Sequence, residues 1–460
     1  MGEKTFHIAM YPWFAMGHLT SFLHLANKLA HRGHKISFLM PIKTIPKFES
    51  FNLHPNHINF IPIAVPHVAG LPPGTETTAD VPINLYPLVM TAMDLTQPII
   101  ESQLSNLKPD FVFFDFSHWL PSISTSLGVK SVNYCTISPA AVGYLISPER
   151  ELGKRSLTED DLMNPPASFP PSSIKLHADE ARGLAAASVI QFGGAISFTE
   201  RNLRSLSDCD AISFKSCREM EGAFCDYIEK QFNKPVILAG PVVPETPSSV
   251  LDEKIMKLLD SFEAGSVVFC AFGSECILKK DQFQELVLGL ELTGFPFLAA
   301  VKPPTGSETV ESALPSGFKE RAGGKGFVIG DWVQQQLILK HPSVGCFLTH
   351  CGSGSLSEAM VSKCQLVLLP NKGDQIINAR LMDGDLKVGV EVEKSEETQE
   401  GLFTRNSVCK AVKTVMDDEN EVGKEVRLNH TKWRDFLLSQ GLENSYIDDF
   451  VQKLHILKQH

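Results

Sequence analysis

The stretch FHIAMYPWFAMGHLTSFLHLANKLAHRGHKISFLM (residues 6–40) decides the fold class, because strand-like and helix-like patterns alternate along it. FHIAMYP is a continuous apolar run, which is typical of a strand buried on both faces of a parallel sheet. Residues 13–18 form a predicted loop, and apolar residues then recur at helical spacing over residues 19–31. Gly33 is placed to end that helix, and KISFLM is the next strand. The stretch therefore predicts a strand–helix–strand unit with parallel strands.

The same alternation continues to the end of the chain. Further strands are predicted at residues 57–65, 110–116, 129–135, 266–272, 295–301, 344–350, 365–370 and 388–393, and helices at 280–292, 355–362 and 405–416. Residues 148–173, rich in Pro, Ser and acidic residues, are predicted to be a loop or a poorly packed insert. The pattern predicts the α/β class, with two Rossmann-like, doubly wound domains that face each other across a cleft.

The domain boundaries follow from a composition break. AGPVVPETPSS (residues 239–249) combines Pro, Gly and Ser, as linkers do. We predict a first domain over residues 1–238, a linker over 239–252 and a second domain over 253–435. Residues 436–460 are amphipathic and are expected to form a C-terminal helix that packs back on the first domain.

Composition excludes several classes of partner. The chain of 460 residues has 42 Lys and Arg against 53 Asp and Glu, a net charge of −11, which argues against nucleic acid and anionic membranes. Its ten cysteines are scattered without metal-ligand spacing, which indicates buried, reduced thiols. Neither a cleavable signal nor an apolar run of about 18 residues is evident. We therefore expect a cytoplasmic monomer with small-molecule partners.

The most informative chemistry lies in the second half. VGCFLTH is followed by the turn CGSGS and a predicted helix start, and a helix N-terminus suits a diphosphate. His350 and Ser355 flank the turn and can donate hydrogen bonds to phosphate oxygens. Glu358, on the first turn, can hold both hydroxyls of a ribose, and Trp332 offers a flat face to a base. A generic dinucleotide-binding turn, with Trp332 as a packing residue, is the alternative.

Residues 332–375, WVQQQLILKHPSVGCFLTHCGSGSLSEAMVSKCQLVLLPNKGDQ, resemble the forty-four-residue donor-binding signature of the plant secondary-product UDP-glycosyltransferases. The resemblance covers the whole chain and implies a UDP-sugar as co-substrate, with no other cofactor. It implies donor contacts at Gly17, Ser274, Trp332, Val333, Gln335, His350, Gly352, Ser353, Gly354, Ser355, Glu358, Asp374 and Gln375.

The resemblance implies a separate set of residues for each part of the donor, namely the base, the ribose, the diphosphate and the sugar. Trp332 would stack on uracil, and Gln335 and the main chain of Val333 would hold the base. Glu358 would bind the ribose. The matching positions for the diphosphate are His350 and Ser355, those for the sugar hydroxyls are Asp374 and Gln375, and AFGSE resembles a phosphate-side turn at Gly273 and Ser274.

The signature departs from the family pattern beside the sugar. Ser353 and Gly354 stand where the family usually has Trp and Asn, Gln334 replaces a Pro, and residues 363–365 read KCQ instead of GVP. The HCGSGS form resembles the subgroup that extends sugars already attached to flavonoids, anthocyanins or terpenoids. The smaller side chains predict more room beside the donor sugar.

A catalytic base is predicted in the first half. An alcohol is a poor nucleophile until a base takes its proton. His18 follows a buried strand and Asp115 ends another, so both are expected at the same edge of the sheet. A carboxylate on the second imidazole nitrogen would fix the tautomer. In the resembling family the residue at His18 is the base and the one at Asp115 is its partner. The alternatives are that His18 has only a structural role and that Asp115 merely ends a strand.

The expected reaction is a single in-line displacement with inversion, in which UDP leaves without the help of a metal. Two D-x-D tripeptides, at residues 208–210 and 383–385, are the alternative metal sites, but neither follows an apolar strand. The acceptor pocket is assigned to residues near predicted strand ends, where aromatic rings suit flat polyphenols or terpenoids. Those residues are Trp13, Phe14, Phe116, His118 and Tyr134.

Three functions remain open at this point. The first is an inverting glycosyltransferase that extends an existing glycoside, with UDP-glucose favoured and UDP-rhamnose or UDP-xylose as alternatives. The second is an aglycone O-glucosyltransferase. The third is a UDP-sugar-binding protein without activity, against which a retained base and its carboxylate argue. A nicotinamide oxidoreductase is disfavoured because no G-x-G-x-x-G follows the first strand.

Overall fold

Parallel strands dominate both halves of the chain in the computed structural model, which describes residues 5–241, 243, 250–273, 275–394 and 402–459. The strands are β1 His7–Tyr11, β2 Lys35–Pro41, β3 Ile58–Ile63, β4 Phe111–Phe114, β5 Lys130–Cys135, β6 Ala211–Phe214, β7 Val236–Leu238, β8 Val267–Ala271, β9 Phe297–Ala300, β10 Gly326–Ile329, β11 Val344–Thr349, β12 Gln365–Leu368 and β13 Gly389–Glu391.

Helices alternate with the strands through most of the chain. The helices are α1 Met16–His31, α2 Ile45–Phe48, α3 Tyr86–Asp94, α4 Gln97–Leu107, α5 Leu120–Ser126, α6 Pro139–Leu145, α7 Glu159–Met163, α8 Ala178–Ser188, α9 Phe198–Asp208, α10 Arg218–Phe232, α11 Glu253–Asp260, α12 Lys280–Thr293, α13 Val310–Ala313, α14 Phe318–Ala322, α15 Gln335–Leu339, α16 Ser353–Met360, α17 Asp374–Arg380, α18 Arg405–Met416, α19 Glu421–Leu437 and α20 Leu442–Gln459. None of these helices combines the length and the apolar character needed to cross a bilayer.

The first unit contains the described residues of 1–170, 181–242 and 440–460. Its sheet has the order β3-β2-β1-β4-β5-β6-β7, and every pair is parallel. The strands are apolar on both faces because helices cover them. Phe22 of α1, Tyr134 of β5 and Phe450 of α20 meet in one buried core, so the C-terminal helix belongs to this unit.

The second unit contains the described residues of 171–180 and 243–439. Its sheet has the order β10-β9-β8-β11-β12-β13, again parallel throughout. The sequence placed residues 171–180 in the first domain, but Glu180 forms ion pairs with Arg380 and Lys394 of this unit. Glu180 is buried, and its two ion pairs tie this segment to the second unit.

Each sheet changes winding direction at one place. Strands β1 and β4 are neighbours although β2 and β3 lie between them in sequence, and β8 and β11 repeat the arrangement. Ligands of doubly wound sheets bind beside the carboxyl ends of the strands at such switch points. The predicted fold class, two Rossmann-like units, is confirmed, and the four strand ends direct attention to the residues that follow them.

Some local predictions were wrong. Helix α1 begins at Met16 instead of Leu19, because the backbone N–H groups of His18 and Leu19 both donate to Ala15 O. Gly17 and His18 therefore lie in the helix and not in a loop. The predicted loop of residues 148–173 contains α7, whose N-cap Thr158 forms a capping box with Asp161. Of the predicted linker, residues 242 and 244–249 lie outside the described residues.

Candidate active site

His18 and Asp115 meet at the switch point of the first sheet. Asp115 directly follows β4, and His18 lies in the first turn of α1, just after β1. The His18 Nδ1 to Asp115 Oδ2 distance is 2.6 Å, and the side chains are 20% and 5% exposed. Within the described part of the chain, His18 Nε2 has no hydrogen-bond partner. This nitrogen is therefore the one that can accept a proton.

The Asp115 carboxylate is held in place by the backbone. Its Oδ1 accepts hydrogen bonds from the N–H groups of Trp13 (2.8 Å) and Phe116 (2.7 Å), which leaves Oδ2 for His18. Because a carboxylate accepts, Nδ1 of His18 carries the proton. The hydroxyl of Thr136 lies 3.1 Å from the same nitrogen. Asn133 donates to Asp115 O at 2.9 Å and fixes the loop from the other side.

Aromatic rings surround this pair. Trp13 lies 6.1 Å from Phe116 between ring centroids, and Phe116 lies 5.5 Å from the His18 ring. Phe192 and Phe198 complete the group, the first 5.7 Å from Trp13 and the second 5.7 Å from Phe116. The structure thus brings two of the predicted acceptor residues together beside the base.

The other predicted acceptor residues have different surroundings. Phe14 is fully buried and stacks on Trp13, which makes it a support for that ring. Tyr134 is fully buried and packs edge-on against Phe22 in the core, away from the aromatic group at His18. His118 is half-buried, and its Nδ1 lies 2.9 Å from Arg201 Nη1.

On the second sheet, His350 follows β11 and Gly273 follows β8. A Cβ atom on Gly273 would lie 3.1 Å from the His350 ring, and one on Gly352 would lie 2.7 Å from Nε2. Both glycines therefore leave the room that the imidazole occupies. Burial, and to a lesser degree the charge of Lys372, lowers the pKa of His350 to about 4, so the ring is neutral at physiological pH.

Helix α16 begins in this turn, with Gly352 as its N-cap. Ser353, Gly354 and Ser355 form its first turn, where backbone N–H groups have no partner within the helix. Gly354 is exposed, and a Cβ atom there would meet nothing within 4 Å. Gly354, at the usual Asn position, thus borders open space, and more room beside the donor sugar stays a prediction. Ser274 lies outside the described residues.

The predicted base and ribose residues form one hydrogen-bonded group. Gln335 donates from Nε2 to Glu358 at 2.7 Å and to Ser355 at 3.2 Å. Gln336 donates to the other oxygen of Glu358 at 3.2 Å. Trp332 is 80% exposed, so its face is open to a planar ligand, and Gln335 N donates to Val333 O.

The predicted sugar residues open helix α17. Asp374 Oδ2 accepts from Asn378 at 3.0 Å, and Asn378 also donates to Cys351 O, which ties the start of α17 to the turn before α16. Gln375 Oε1 accepts from the backbone N–H groups of Asn371 and Lys372, at 3.1 and 3.2 Å. The amide nitrogen Nε2 of Gln375 therefore remains the group that can donate to a ligand.

Three of the four D-x-D carboxylates, those of Asp210, Asp383 and Asp385, have structural partners. Asp210 accepts from the backbone and hydroxyl of Ser131 and pairs with Lys130. Asp385 accepts from Ser173 N, and Asp383 from Glu391 N. Burial raises the pKa of Asp383.

Comparison with known proteins identifies the family. Residues 234–432 match the family described as UDP-glucoronosyl and UDP-glucosyl transferase. The chain is 62% identical to a cyanidin 3-O-galactoside 2''-O-xylosyltransferase of Actinidia chinensis var. chinensis, over 99% of this chain and 100% of the relative. It is 59% identical to an anthocyanidin 3-O-glucoside 2''-O-glucosyltransferase of Ipomoea nil, over 99% and 100%. The chain belongs to the UDP-glycosyltransferase family.

The fold of this UDP-glycosyltransferase is also that of solved relatives. A crystal structure of UDP-glucose: anthocyanidin 3-O-glucosyltransferase in complex with UDP has a TM-score of 0.77 at 24% identity, covering all of both chains. The family makes the protein an enzyme that uses a UDP-sugar as co-substrate. The resemblance seen in the sequence is confirmed.

Several residues of the glycosyltransferase site were missed by the sequence analysis. Asn133 could have been found from the alternation along β5, since residues 131, 133 and 135 share the face opposite Tyr134, and Thr136 directly follows that strand. Gln336 lies within residues 332–375, directly after Gln335. Phe192, Phe198 and Arg201 are distant in sequence from His18, and no local pattern marks them.

Proposed function

We propose that this UDP-glycosyltransferase transfers a sugar, with inversion at the anomeric carbon, onto a hydroxyl of the sugar in an existing flavonoid glycoside. The observation that carries the proposal is the hydrogen bond of 2.6 Å between His18 and Asp115. It leaves Nε2 of His18 as a base for the acceptor hydroxyl. The oxygen then attacks the anomeric carbon, the bond to the diphosphate breaks, and UDP leaves.

The leaving group is proposed to be stabilised by protein groups. The free N–H groups at the start of α16 and the hydroxyl of Ser355 lie beside His350 in one turn. A helix N-terminus favours negative charge, so it opposes the charge that develops on the diphosphate. We propose that no metal takes part, so that turnover in excess EDTA equals turnover in its absence; a loss restored by Mg²⁺ or Mn²⁺ would contradict this.

The acceptor class is inferred from the relatives and from the site. Both relatives named above are transferases of cyanidin or anthocyanidin 3-O-glycosides, and both cover nearly all of this chain. The aromatic rings of Trp13, Phe116, Phe192 and Phe198 suit the flat aglycone part of such a molecule. UDP-glucose is the proposed donor, with UDP-xylose and UDP-rhamnose as the alternatives to be compared.

We further propose a monomeric enzyme of the cytosol. The ten cysteines are free, and all but Cys409 are buried, as expected where thiols stay reduced. Light scattering on the purified protein would give the mass of one chain, and a dimer mass would contradict the monomer.

The test is a mass-spectrometric screen that crosses the three UDP-sugars with flavonoid and anthocyanidin 3-O-monoglycosides and the matching aglycones. We expect a product one sugar heavier from monoglycosides only, and loss of this product in His18→Ala. Product from aglycones only would contradict the proposed acceptor and favour an aglycone glycosyltransferase. Unchanged turnover in His18→Ala would contradict the assignment of the base.

A further inference from the structure

Arg201 of α9 is fully buried in the first unit, beside the aromatic group at His18. It pairs with both oxygens of Asp94 of α3, at 3.0 and 2.6 Å, which compensates the cost of burying its charge. Its Nε donates to the backbone carbonyl of Phe192 (2.8 Å) and its Nη2 to that of Gly193 (3.2 Å), while the second N–H group of Nη1 is shared between the carbonyl of Phe116 (3.1 Å) and Nδ1 of His118 (2.9 Å). Arg201 therefore joins two separate loops that carry rings of the aromatic group.

The approach of this arginine depends on Gly193. The residue has a φ of +77°, and a Cβ atom there would lie 2.5 Å from Asp94 Oδ2 and 2.6 Å from Arg201 Nη2. Only glycine fits both the backbone conformation and the space. Trp119 donates from Nε1 to Asp94 at 2.9 Å and completes the surroundings of the carboxylate. The ion pair of Arg201 and Asp94 is thus held in place by residues from several elements of the first unit.

Arg201 also determines the tautomer of His118. Its Nη1 lies 2.9 Å from His118 Nδ1, and a guanidinium can only donate. Nδ1 must therefore accept, and the ring proton lies on Nε2. Burial, followed by the charge of Arg201, lowers the pKa of His118, which keeps the ring neutral. Among the described residues, His118 Nε2 has no hydrogen-bond partner, and the ring is half-buried.

His118 lies on the same loop as the catalytic pair. Asp115, bound to His18, is three residues before it, and the His118 N–H donates to Phe116 O. The Phe116 ring contacts His18 at 5.5 Å, and its carbonyl accepts from Arg201. The loop that orients the base thus also carries the fixed donor of His118, three residues after Asp115.

We propose that His118 donates a hydrogen bond from Nε2 to a hydroxyl of the bound acceptor, and that Arg201 is a positioning residue that acts through His118. The inference rests on the proposed function in placing the acceptor beside His18. The inference goes beyond the proposed function because it names a contact that selects acceptors rich in hydroxyl groups. A site built to donate to a hydroxyl disfavours an analogue without that hydroxyl, because its donor is then left unpaired.

The first test replaces His118 by Phe, Asn and Gln. Neither Phe nor Asn places a donor where Nε2 of His118 lies. Asn does keep an acceptor for Arg201 at the position of Nδ1. Gln is one bond longer and carries an N–H group as far out as Nε2. We expect the acceptor KM to rise about tenfold in His118→Phe and His118→Asn, with kcat and the UDP-sugar KM within twofold. His118→Gln restores the KM to within threefold of the wild type. Equal KM values in all four proteins would overturn the proposal.

The second test separates positioning from stability. Arg201→Lys keeps a charge for Asp94 but cannot reach the three carbonyls. The thermal midpoint should therefore fall and the acceptor KM should rise. Arg150→Lys is the matched control, because Arg150 is a buried arginine that donates to the carbonyls of Tyr144, Asp161 and Asn164. It should lower the thermal midpoint and leave the acceptor KM unchanged. Equal KM values in the two variants would overturn the role of Arg201.

The third measurement does not depend on turnover. Nitrogen NMR of protein with labelled histidine, assigned with His118→Gln, should show a neutral His118 with the proton on Nε2. Arg201→Met should remove that preference, and a proton on Nδ1 in the wild type would overturn the inference. The KM comparison uses the best acceptor of the wild type, glycoside or aglycone. Activity on aglycones only would thus contradict the proposed function while the His118 series still decides this inference.

Discussion

The carboxylate of Asp115 has two oxygens with different tasks. Oδ1 accepts the backbone N–H groups of Trp13 and Phe116, and Oδ2 orients His18. In Asp115→Asn the amide oxygen can keep the backbone contacts, so the amide nitrogen then faces His18 Nδ1 and donates to it. The ring proton moves to Nε2, and the base is lost.

We expect Asp115→Asn to lower kcat by about 10²- to 10⁴-fold, with the UDP-sugar KM and the thermal midpoint nearly unchanged. Steady-state kinetics with both substrates varied would measure it. Asp210→Asn is the control, since Asp210 pairs with Lys130 and Ser131 and contacts no residue of the catalytic pair. A kcat within threefold of the wild type in Asp115→Asn would rule out its role in orienting the base.

The exposure of Trp332 makes it a clean probe of the donor base. At 80% exposure its removal exposes little core, so Trp332→Ala should not change the thermal midpoint. Loss of stacking on a base should raise the UDP-sugar KM about five- to tenfold, with the acceptor KM unchanged. Trp433→Ala on α19 is the control, and it should leave the UDP-sugar KM unchanged. A UDP affinity by calorimetry equal to that of the wild type would assign Trp332 no part in donor binding.

At the scale of the element, the start of α16 offers a comparison between two glycines. A Cβ atom on Gly352 would lie 2.7 Å from His350 Nε2, whereas one on Gly354 would meet nothing within 4 Å. Gly352→Ala should therefore displace the imidazole from the turn and raise the UDP-sugar KM by at least about tenfold. Gly354→Ala should leave the midpoint equal or higher, because Ala favours helix. Equal donor KM values in both variants would contradict this account of the turn.

The elements that carry the site could be predicted from the sequence because they are buried parallel strands. Strands β1, β4 and β11 are apolar on both faces, so they are continuous runs, and polar residues at their ends stand out. His18, Asp115 and His350 were located in this way. The boundary of α1 was not, since its first turn begins at Met16, and only the bonds to Ala15 O show that His18 is helical.

The acceptor side could be predicted only in part. Trp13 and Phe116 adjoin strand ends, but Phe192, Phe198 and Arg201 come from the segment around α9, and long-range packing brings them to His18. Tyr134 was assigned to the pocket although the alternation along β5 directs it into the core with Phe22. Local patterns do not encode which distant loop closes a pocket, so this part required the structure.

At the scale of the whole molecule, buried histidines couple the stability of both units to pH. Burial, the largest cause in each, lowers the pKa of His34 in the first unit and of His430 in the second to about 4. The unfolded chain then binds more protons than the native one between pH 6.5 and 4. The stability from each neutral ring is therefore present above pH 6.5 and is lost as the pH falls through about 4.

We expect the urea midpoint to fall as the pH is lowered from 7 to 4.5. Below its native pKa, His34 accounts for a loss of up to about 3 kcal/mol in the free energy of unfolding. His34 Nδ1 accepts from Phe6 N at 3.0 Å, and Asn can offer an oxygen at that place without titrating. His34→Asn should therefore show a shallower loss between pH 6.5 and 4.5 than the wild type. The exposed His67→Asn serves as the control. A slope equal to the wild type in His34→Asn would show that His34 titrates alike in the native and unfolded chains.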